Sequence, residues 1–522
     1  MNKRHYNILY HIHTVSGIVI SAALFVIFFT GSFSFFRDEI INWERGHQLQ
    51  VMDQIGINAD TVMATLSKDY NLYGRDINLR HYYNERRVAV SLGGSSDTTT
   101  VTEDRTGAFF YLDTEDKSAS TYADSYTLGE FLYRLHFFAQ IPYPAGYYLS
   151  GFVAFFFLIA IITGIIVHWN KIISNFYVFR PWSKLKTLWT DAHTSLGVIG
   201  FPFQFVYALT GAFFMLKAIL VAPFVFSLYQ GNEEKFYEDL EYRIPLPGLS
   251  YHRLESVPAL SGFVDKTEDR WPGFKITELD ITNYGDKNMH LTISGQIAAS
   301  KKFNGLGKIT YRVRDQHVIS DRNPLTNQSY LDGIKNILYR LHFGDYAGVG
   351  LRIVSFLFGI ISCFVILSGV MIWLVARNRA NIPPKRRRFN EYVAISYLSI
   401  CLSLYPIIAL AFILVKFYHP AGMSFLYRTF FISWLLLCLF FIIKRDNNFT
   451  LRWSLILSTF FGLSIPLING SLTGSWFWNG STPLVSPVQL VDILWLLLAI
   501  ANLIVLDRLK VPSKRGKEYR YG

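Results

Sequence analysis

Apolar residues in this chain gather into runs far longer than a globular core requires. Eight stretches approach or exceed the roughly 20 residues that a bilayer-spanning helix needs. They cover residues 14–36, 147–169, 194–216, 350–376, 393–416, 424–443, 453–470 and 487–506. The first has no small-residue cleavage site before Arg37 and reads as an uncleaved anchor rather than a secretory signal. Two long loops, 37–146 and 217–349, carry a different pattern. In the first, Asn58–Tyr73 reads as a helix capped by Asn58 or Asp60, and period-two alternation predicts strands at Asp76–Tyr82, Arg87–Ser91, Thr98–Thr102 and Phe109–Leu112. In the second, Glu233–Tyr242 reads as helix, and strands are expected at Phe274–Ile281, Met289–Ser294, Lys308–Arg312 and His317–Ser320. The pattern predicts an all-α polytopic membrane protein with about eight transmembrane helices and two α+β domains in its long loops.

Charge sets the expected orientation. Lys and Arg concentrate in the N-terminal tail (Lys3, Arg4) and in alternate connections (Lys171, Arg180, Lys184, Lys186; Arg377, Arg379, Lys385–Arg388; Lys444, Arg445, Arg452). The tail after residue 507 adds Arg508, Lys510, Lys514, Arg515, Lys517 and Arg520. By the positive-inside rule both termini are cytoplasmic and the long loops lie outside. Loop one holds 10 basic against 16 acidic residues, and residues 218–346 hold 15 against 16. The net charge of +12 therefore belongs to the membrane-flanking segments and reflects topology and anionic lipid, not nucleic acid. The organisation expected is 1–36 (first span), 37–146 (first outer domain), 147–169, 170–193 (basic connection), 194–216 and 217–349 (second outer domain). It continues with 350–376, 377–392 (basic linker), 393–507 (a four-helix extension) and 508–522 (basic tail). Three cysteines in 522 residues exclude a disulfide scaffold, and no CxxC, GxGxxG, Walker A or HExxH motif occurs.

The first part of the chain repeats itself. His13-Thr14-x-x-Gly17 and Thr30-Gly31 recur 180 residues later as His193-Thr194-x-x-Gly197 and Thr210-Gly211. Leu132-Tyr133-Arg134-Leu135-His136-Phe137 recurs as Leu338-Tyr339-Arg340-Leu341-His342-Phe343. The unit of helix, outer domain and helix is used twice in one orientation, which implies a pseudo-two-fold axis along the membrane normal.

Of the 13 histidines, those at the ends of spanning helices carry the chemistry. His13 and His193 open the first and third spans, His168 closes the second, and His136 and His342 precede the second and fourth. Neutral imidazole is a common axial ligand of haem iron. The repeat offers an outer pair, His136 with His342, and an inner pair, His13 or His168 with His193. His11 lies about 200° around the helix from His13, so the two cannot face one ligand. Arg134 and Arg340, two residues before the outer histidines, and Arg180 at the inner face are expected to pair with haem propionates or to serve as surface anchors. Gly17, Gly31, Gly164, Gly197, Gly211 and Gly369 leave room for close helix packing or a flat macrocycle. Trp169, Trp182 and Trp189 read as an interfacial belt.

The HxHTxxG opening with Thr-Gly, the LxRLHF segment, the stretch TGxxxHW…FRP from Thr163 to Pro181 and the DxHTxxG at Asp191 together resemble the PepSY-associated membrane proteins over residues 5–380. Within that family the chain is similar to bacterial inner-membrane ferric-siderophore reductases and iron-regulated membrane proteins. The resemblance implies a haem-binding four-helix core, PepSY-like periplasmic domains and reduction of a ferric siderophore or other Fe(III) chelate. It implies two haem b groups held by His13, His136, His168, His193 and His342, with an electron donor that is a quinol or a cytoplasmic reductase. Relatives carry a further histidine in the third span where this chain has Gln204. The extension 393–507 lies outside the resemblance, and Asp492 and His419 in it are expected to be structural or interfacial. The Tyr and Phe residues of the outer loops and exposed basic groups such as Arg86 and Arg87 would suit an anionic aromatic chelate, and a solvated surface explains them equally well. Two other readings compete: a non-enzymatic PepSY-type binding or regulatory protein, which predicts no haem, and an iron or siderophore transporter, which wants charged residues at mid-membrane depth.

Overall fold

The computed structural model describes residues 2–46, 52–82, 87–99, 101–178, 180, 183, 185–240, 244–326, 330–377, 382–478 and 486–510. Arg86, Thr100, Phe179, Pro181, Trp182, Lys184, Arg379, Lys514, Arg515, Lys517 and Arg520 lie outside the described residues. Fifteen α-helices are described. They are α1 (Lys3–Ser34), α2 (Arg37–Arg45), α3 (Ala59–Asp69), α4 (Leu128–His136), α5 (Ala145–His168), α6 (Ile172–Tyr177), α7 (Leu185–Tyr229) and α8 (Glu233–Asp239). The remainder are α9 (Ser261–Arg270), α10 (Tyr330–Phe343), α11 (Gly348–Arg377), α12 (Pro384–Phe417), α13 (Gly422–Lys444), α14 (Asn447–Thr473) and α15 (Pro487–Lys510). Eight of these are long and apolar enough to cross a membrane, and each coincides with one of the eight predicted runs. The chain forms two compact units: residues 1–48, 126–216 and 353–522, and residues 49–125 and 217–352.

The first unit is helical. Small residues set how closely its helices approach. A Cβ at Gly359 of α11 would collide with Ser32 of α1, and one at Gly151 of α5 would collide with Leu216 of α7. Phe203 of α7 stacks on Phe358 of α11 at 4.2 Å, and Phe28 of α1 meets Phe157 of α5 at 5.3 Å. Thus α1, α5, α7 and α11 form one four-helix core. Helices α12 and α15 join it through aromatic contacts on α1: Phe29 with Tyr405, and Phe33 with Phe412 and Trp495. The outward faces stay apolar, as with Leu435, Leu436 and Ile443 of α13, which suits lipid. Helix α7 has 45 residues and rises about 67 Å, more than twice a hydrocarbon core.

Short polar helices begin where side chains cap them. Asn58 Oδ1 accepts from Thr61 N at 3.1 Å to start α3, and Thr127 Oγ1 accepts from Glu130 N to start α4. Glu44 Oε2 accepts from Leu128 N and fixes α4 against α2. Gly46, with φ of 69°, supplies the left-handed turn that ends α2.

The second unit holds strands β1 (Ile77–His81), β2 (Arg87–Leu92), β3 (Ala108–Asp113), β4 (Ala119–Ser120), β5 (Phe274–Thr282), β6 (His290–Ile297), β7 (Leu306–Arg312) and β8 (His317–Arg322). Seven match the predicted strands. The stretch Thr98–Thr102 is not a strand: Asp97 captures the Thr99 N–H and hydroxyl, and a 3-10 turn follows at Thr102–Arg105. The two loops, read from the sequence as two separate domains, build one antiparallel sheet of eight strands in the order β4-β3-β2-β1-β5-β6-β7-β8. The seam is β1 against β5, with Leu79 opposite Leu279. Each loop alone would expose an apolar edge strand, and pairing the two removes both edges. Helices α3 and α9 cover one face, where Val62, Leu66, Phe263, Leu79, Val90, Leu279 and Ile293 form a common core.

Candidate functional site

The candidate site is built inside the four-helix core. Both α1 and α7 begin two or more turns before the histidines that were expected to open them, so His13 and His193 sit within their helices. Their rings meet edge to face, with centroids 6.0 Å apart and planes at 68°. His13 Nδ1 donates to the Ala160 carbonyl of α5 at 2.8 Å, and His193 Nδ1 donates to the Val365 carbonyl of α11 at 2.9 Å. A carbonyl only accepts, so each Nδ1 carries the hydrogen and the lone pair of the neutral ring lies on Nε2. This is the arrangement by which an outer partner orients a metal-binding imidazole.

The cradle is made twice from equivalent residues. Thr163 Oγ1 donates to the Ala160 carbonyl at 3.1 Å, and Ser368 Oγ donates to the Val365 carbonyl at 2.9 Å. The next residues, Gly164 and Gly369, lie against the rings: an added Cβ would come within 3.0 Å of His13 Cε1 and of His193 Cε1 respectively. One turn beyond each histidine on the same helix face are Gly17 and Gly197. A Cβ at Gly17 would meet nothing within 4 Å, and one at Gly197 only Val365 Cγ1 at 4.0 Å. Imidazole–metal bonds are about 2 Å, so two rings holding one metal from opposite sides stand with centroids roughly 6 Å apart. The donor set, with each Nδ1 held by a carbonyl and each Nε2 left with its lone pair, and the open glycine positions nearby are chemically suited to a haem iron that His13 and His193 would hold. Among the described residues no set of three or more His, Cys, Asp or Glu side chains is arranged to hold a bare ion.

His168 ends α5, four residues past Gly164, and interacts electrostatically with His13 and His193. Trp373 occupies its place in the second repeat.

His136 ends α4 and uses the same device. Its Nδ1 donates to the Ile27 carbonyl of α1 at 2.7 Å, and a Cβ at Gly31 would lie 2.5 Å from that nitrogen. His342, its counterpart, is the penultimate residue of α10 in the second unit, with its ring 5.8 Å from Phe343.

The arginines have protein partners. Arg134 Nε donates to Glu130 Oε1 at 2.9 Å, and Arg37 Nε donates to Glu130 Oε2 at 2.9 Å. Burial raises the Glu130 pKa, but Arg37 and Arg134 outweigh it and hold the carboxyl down at about 2. Arg180 grips Asp191 in bidentate fashion at 2.8 and 3.0 Å. Asp191 stands two residues before His193, so this pair ties the α6–α7 connection to the start of the site. Arg340 is 5% exposed, donates to Gln296 Oε1 at 3.1 Å and lies 3.5 Å from Asp345. Arg87 is buried, not exposed, and lies over the Tyr111 ring. Gln204 lies three turns beyond His193 on the same face of α7, buried, with Nε2 unpartnered. Gly211 meets Ala154 at ordinary contact distance and serves packing.

Sequence reasoning missed Asp191, Glu130, Arg37, Thr163 and Ser368 as members of the site. Two of these were legible. Thr163-Gly164 and Ser368-Gly369 are separated by the same 205 residues as Ala160 and Val365.

Compared with known sequences, the chain matches the model of one family, described as the PepSY-associated TM region, over residues 10–376. No curated protein matches the chain.

Proposed function

The chain belongs to the PepSY-associated transmembrane family, and from that premise we propose that it is a haem-dependent membrane oxidoreductase that reduces a ferric siderophore or other Fe(III) chelate. The observation that carries the reading is the His13–His193 pair, with each Nδ1 committed to a backbone carbonyl and each ring backed by a glycine. Haem iron supplies one-electron storage and transfer when bound. The residues of this chain do the rest. His13 and His193 present Nε2 atoms to one centre, with His168 beside them. His136 would present another at the opposite end of α1. Thr163 and Ser368 share the carbonyls that hold the rings. The apolar helices exclude water, which keeps the centres in low dielectric. In the orientation expected from the basic connections, electrons from a quinol or a cytoplasmic reductase enter at the His13 end. They leave at the His136 end toward a chelate in the periplasm of a bacterial inner membrane.

The test is an absorption spectrum of the purified protein, oxidised and dithionite-reduced, with a haemochrome count. A shifted Soret band, a b-type α band and about two haems per chain support the reading. His13→Ala and His193→Ala then each remove the same haem, and His136→Ala and His342→Ala remove the other. A colourless protein from haem-replete cells sinks the reading. It would favour instead a binding or regulatory protein built on the eight-stranded unit, which has its own core.

A further inference from the structure

The sheet-bearing unit contains a cavity that the redox reading does not use. It has a volume of about 130 Å³ and lies between α3, α9 and β5. An apolar cavity of roughly 150 Å³ holds one benzene-sized group. This one therefore takes a single side chain and is too small for a haem or an Fe(III) chelate. Its walls are fixed in place. Asp60 of α3 ties the starts of the two helices together: Oδ1 accepts from Leu260 N at 2.6 Å, and Oδ2 accepts from Ser261 N at 3.0 Å and from Ser261 Oγ at 2.6 Å. The segment leading into α3 is held to β5, where Ile55 N donates to the Ile276 carbonyl at 2.8 Å. A site formed in advance loses little ordering entropy when it is filled.

The lining has an apolar part and an acidic part. Buried Ala59, Ile276 and Leu279, with half-buried Ile55, Ile57 and Val264, make the apolar part. Asp265 and Glu268 make the acidic part. Both are exposed, and they stand three residues apart on the face of α9 that also carries Val264. Neither carboxylate has a hydrogen bond or ion pair with another described residue. The cations nearby are committed elsewhere. Lys266 donates to Gln316 Oε1, Arg270 Nε donates to Asp321 Oδ2 at 2.9 Å, and the Lys275 ammonium lies 3.3 Å from Asp53. Among the described residues no Lys or Arg lines the cavity. The surface thus offers an apolar slot with two unbalanced negative charges at its exposed side.

A lysine side chain has the matching form. Its four-carbon stem buries along apolar surface while its ammonium stays at the wet end. We infer that this cavity is a docking site for a lysine side chain presented by a polypeptide partner, with the stem against Ile276 and Leu279 and the ammonium beside Asp265 and Glu268. A slot of one side chain's volume gives a free monoamine few contacts, whereas a chain carrying the lysine also rests on the surface around the opening. The unit that holds the slot contains none of His13, His136, His168 and His193, so the docking site stands or falls apart from the haem reading.

The experiment is ligand-detected NMR on the purified full-length protein in detergent. The probes are a capped Ala-Lys-Ala peptide, the same peptide with norleucine in place of lysine, and n-butylamine. The lysine peptide should bind in the millimolar range or better, and the norleucine peptide about fivefold more weakly, because it keeps the stem and lacks the charge. Added salt should narrow that difference. Asp265→Asn with Glu268→Gln should abolish the preference for lysine and leave norleucine binding unchanged. Both side chains are exposed, so the double variant should melt as the unmodified protein does. No binding of the lysine peptide overturns the inference. So does equal binding of the lysine and norleucine peptides, or a lysine preference that survives in the double variant. Butylamine that binds as tightly as the lysine peptide also overturns it, because the slot would then serve a free amine. The haem content of the preparation changes none of these outcomes.

Discussion

At the scale of single residues, the glycines make the sharpest distinction between close packing and open space. Gly31, Gly164 and Gly369 press on imidazoles, whereas Gly17 and Gly197 border open space beside them. Gly31→Ala would drive a methyl group to 2.5 Å from His136 Nδ1. It should break the 2.7 Å bond to the Ile27 carbonyl and cost one haem per chain in the haemochrome count. Gly17→Leu and Gly197→Leu should each cost one haem at the proposed His13–His193 centre while leaving far-UV helicity intact, because a Cβ at Gly17 meets nothing within 4 Å and one at Gly197 only Val365 at 4.0 Å. Gly262→Ala, in open space on α9, should change neither. Full haem content in both leucine variants would mean that the macrocycle does not lie along that face. The histidines themselves were legible because they recur in a repeat. Their hydrogen-bond partners were not, because a backbone carbonyl leaves no mark on a sequence.

At the scale of elements, α2 and α4 show how a polar connection is held rigid. Arg37, 7% exposed, and Arg134 converge on Glu130, while Glu44 caps α4. The Glu130 carboxyl ionises near 2 in the folded protein against an ordinary 4.5, a lowered value. Its contribution is therefore fully present above about pH 4.5 and is lost as pH falls toward 2. The difference corresponds to about 3 kcal/mol. Glu130→Gln should destabilise the fold, since it removes the carboxylate on which Arg37 and Arg134 converge and leaves Asp38, at 3.0 Å, to balance the buried Arg37 charge. Thermal melts of the variant should show a lower midpoint at pH 7 and a flatter decline between pH 4.5 and 2. A midpoint unchanged at pH 7 would show that the Arg37–Glu130 pair is not a clamp. The apolar runs gave all eight spanning helices away, but α9 was hidden. Its sequence Ser261–Arg270 is mostly polar and buries only Phe263 and Thr267, so no apolar stripe betrays it. Thr98–Thr102 erred the other way: threonines favour strands, but here Asp97 and its neighbours claim their polar groups for a turn.

At the scale of the whole molecule, the long loops are one folding unit although 91 residues of helix and connection (126–216) separate their segments in the chain. Local pattern could not reveal this. Strands β1 and β5 each read as ordinary half-buried strands, and only the pairing of Leu79 with Leu279 and Ile77 with Ile281 joins them. The arrangement has a consequence for stability. Neither loop has a complete sheet, and the core residues of α3 and α9 meet strands of both halves. Arg80 and Glu278 lie opposite each other across the seam on the polar face, 3.7 Å apart at their charged ends. Directly opposed residues in an antiparallel pair have Cα atoms about 4.5–5.5 Å apart, within disulfide range. Arg80→Cys with Glu278→Cys should therefore cross-link spontaneously under oxidising conditions. Cleavage of the chain between residues 126 and 216 would then leave the two fragments joined on a non-reducing gel and separated on a reducing one. Each single cysteine variant should give separate fragments in both lanes. Failure of the double variant to cross-link would mean that the two loops fold apart, as their sequences alone suggest. Formation of the cross-link means that any signal received by one loop is borne by a sheet that also belongs to the other.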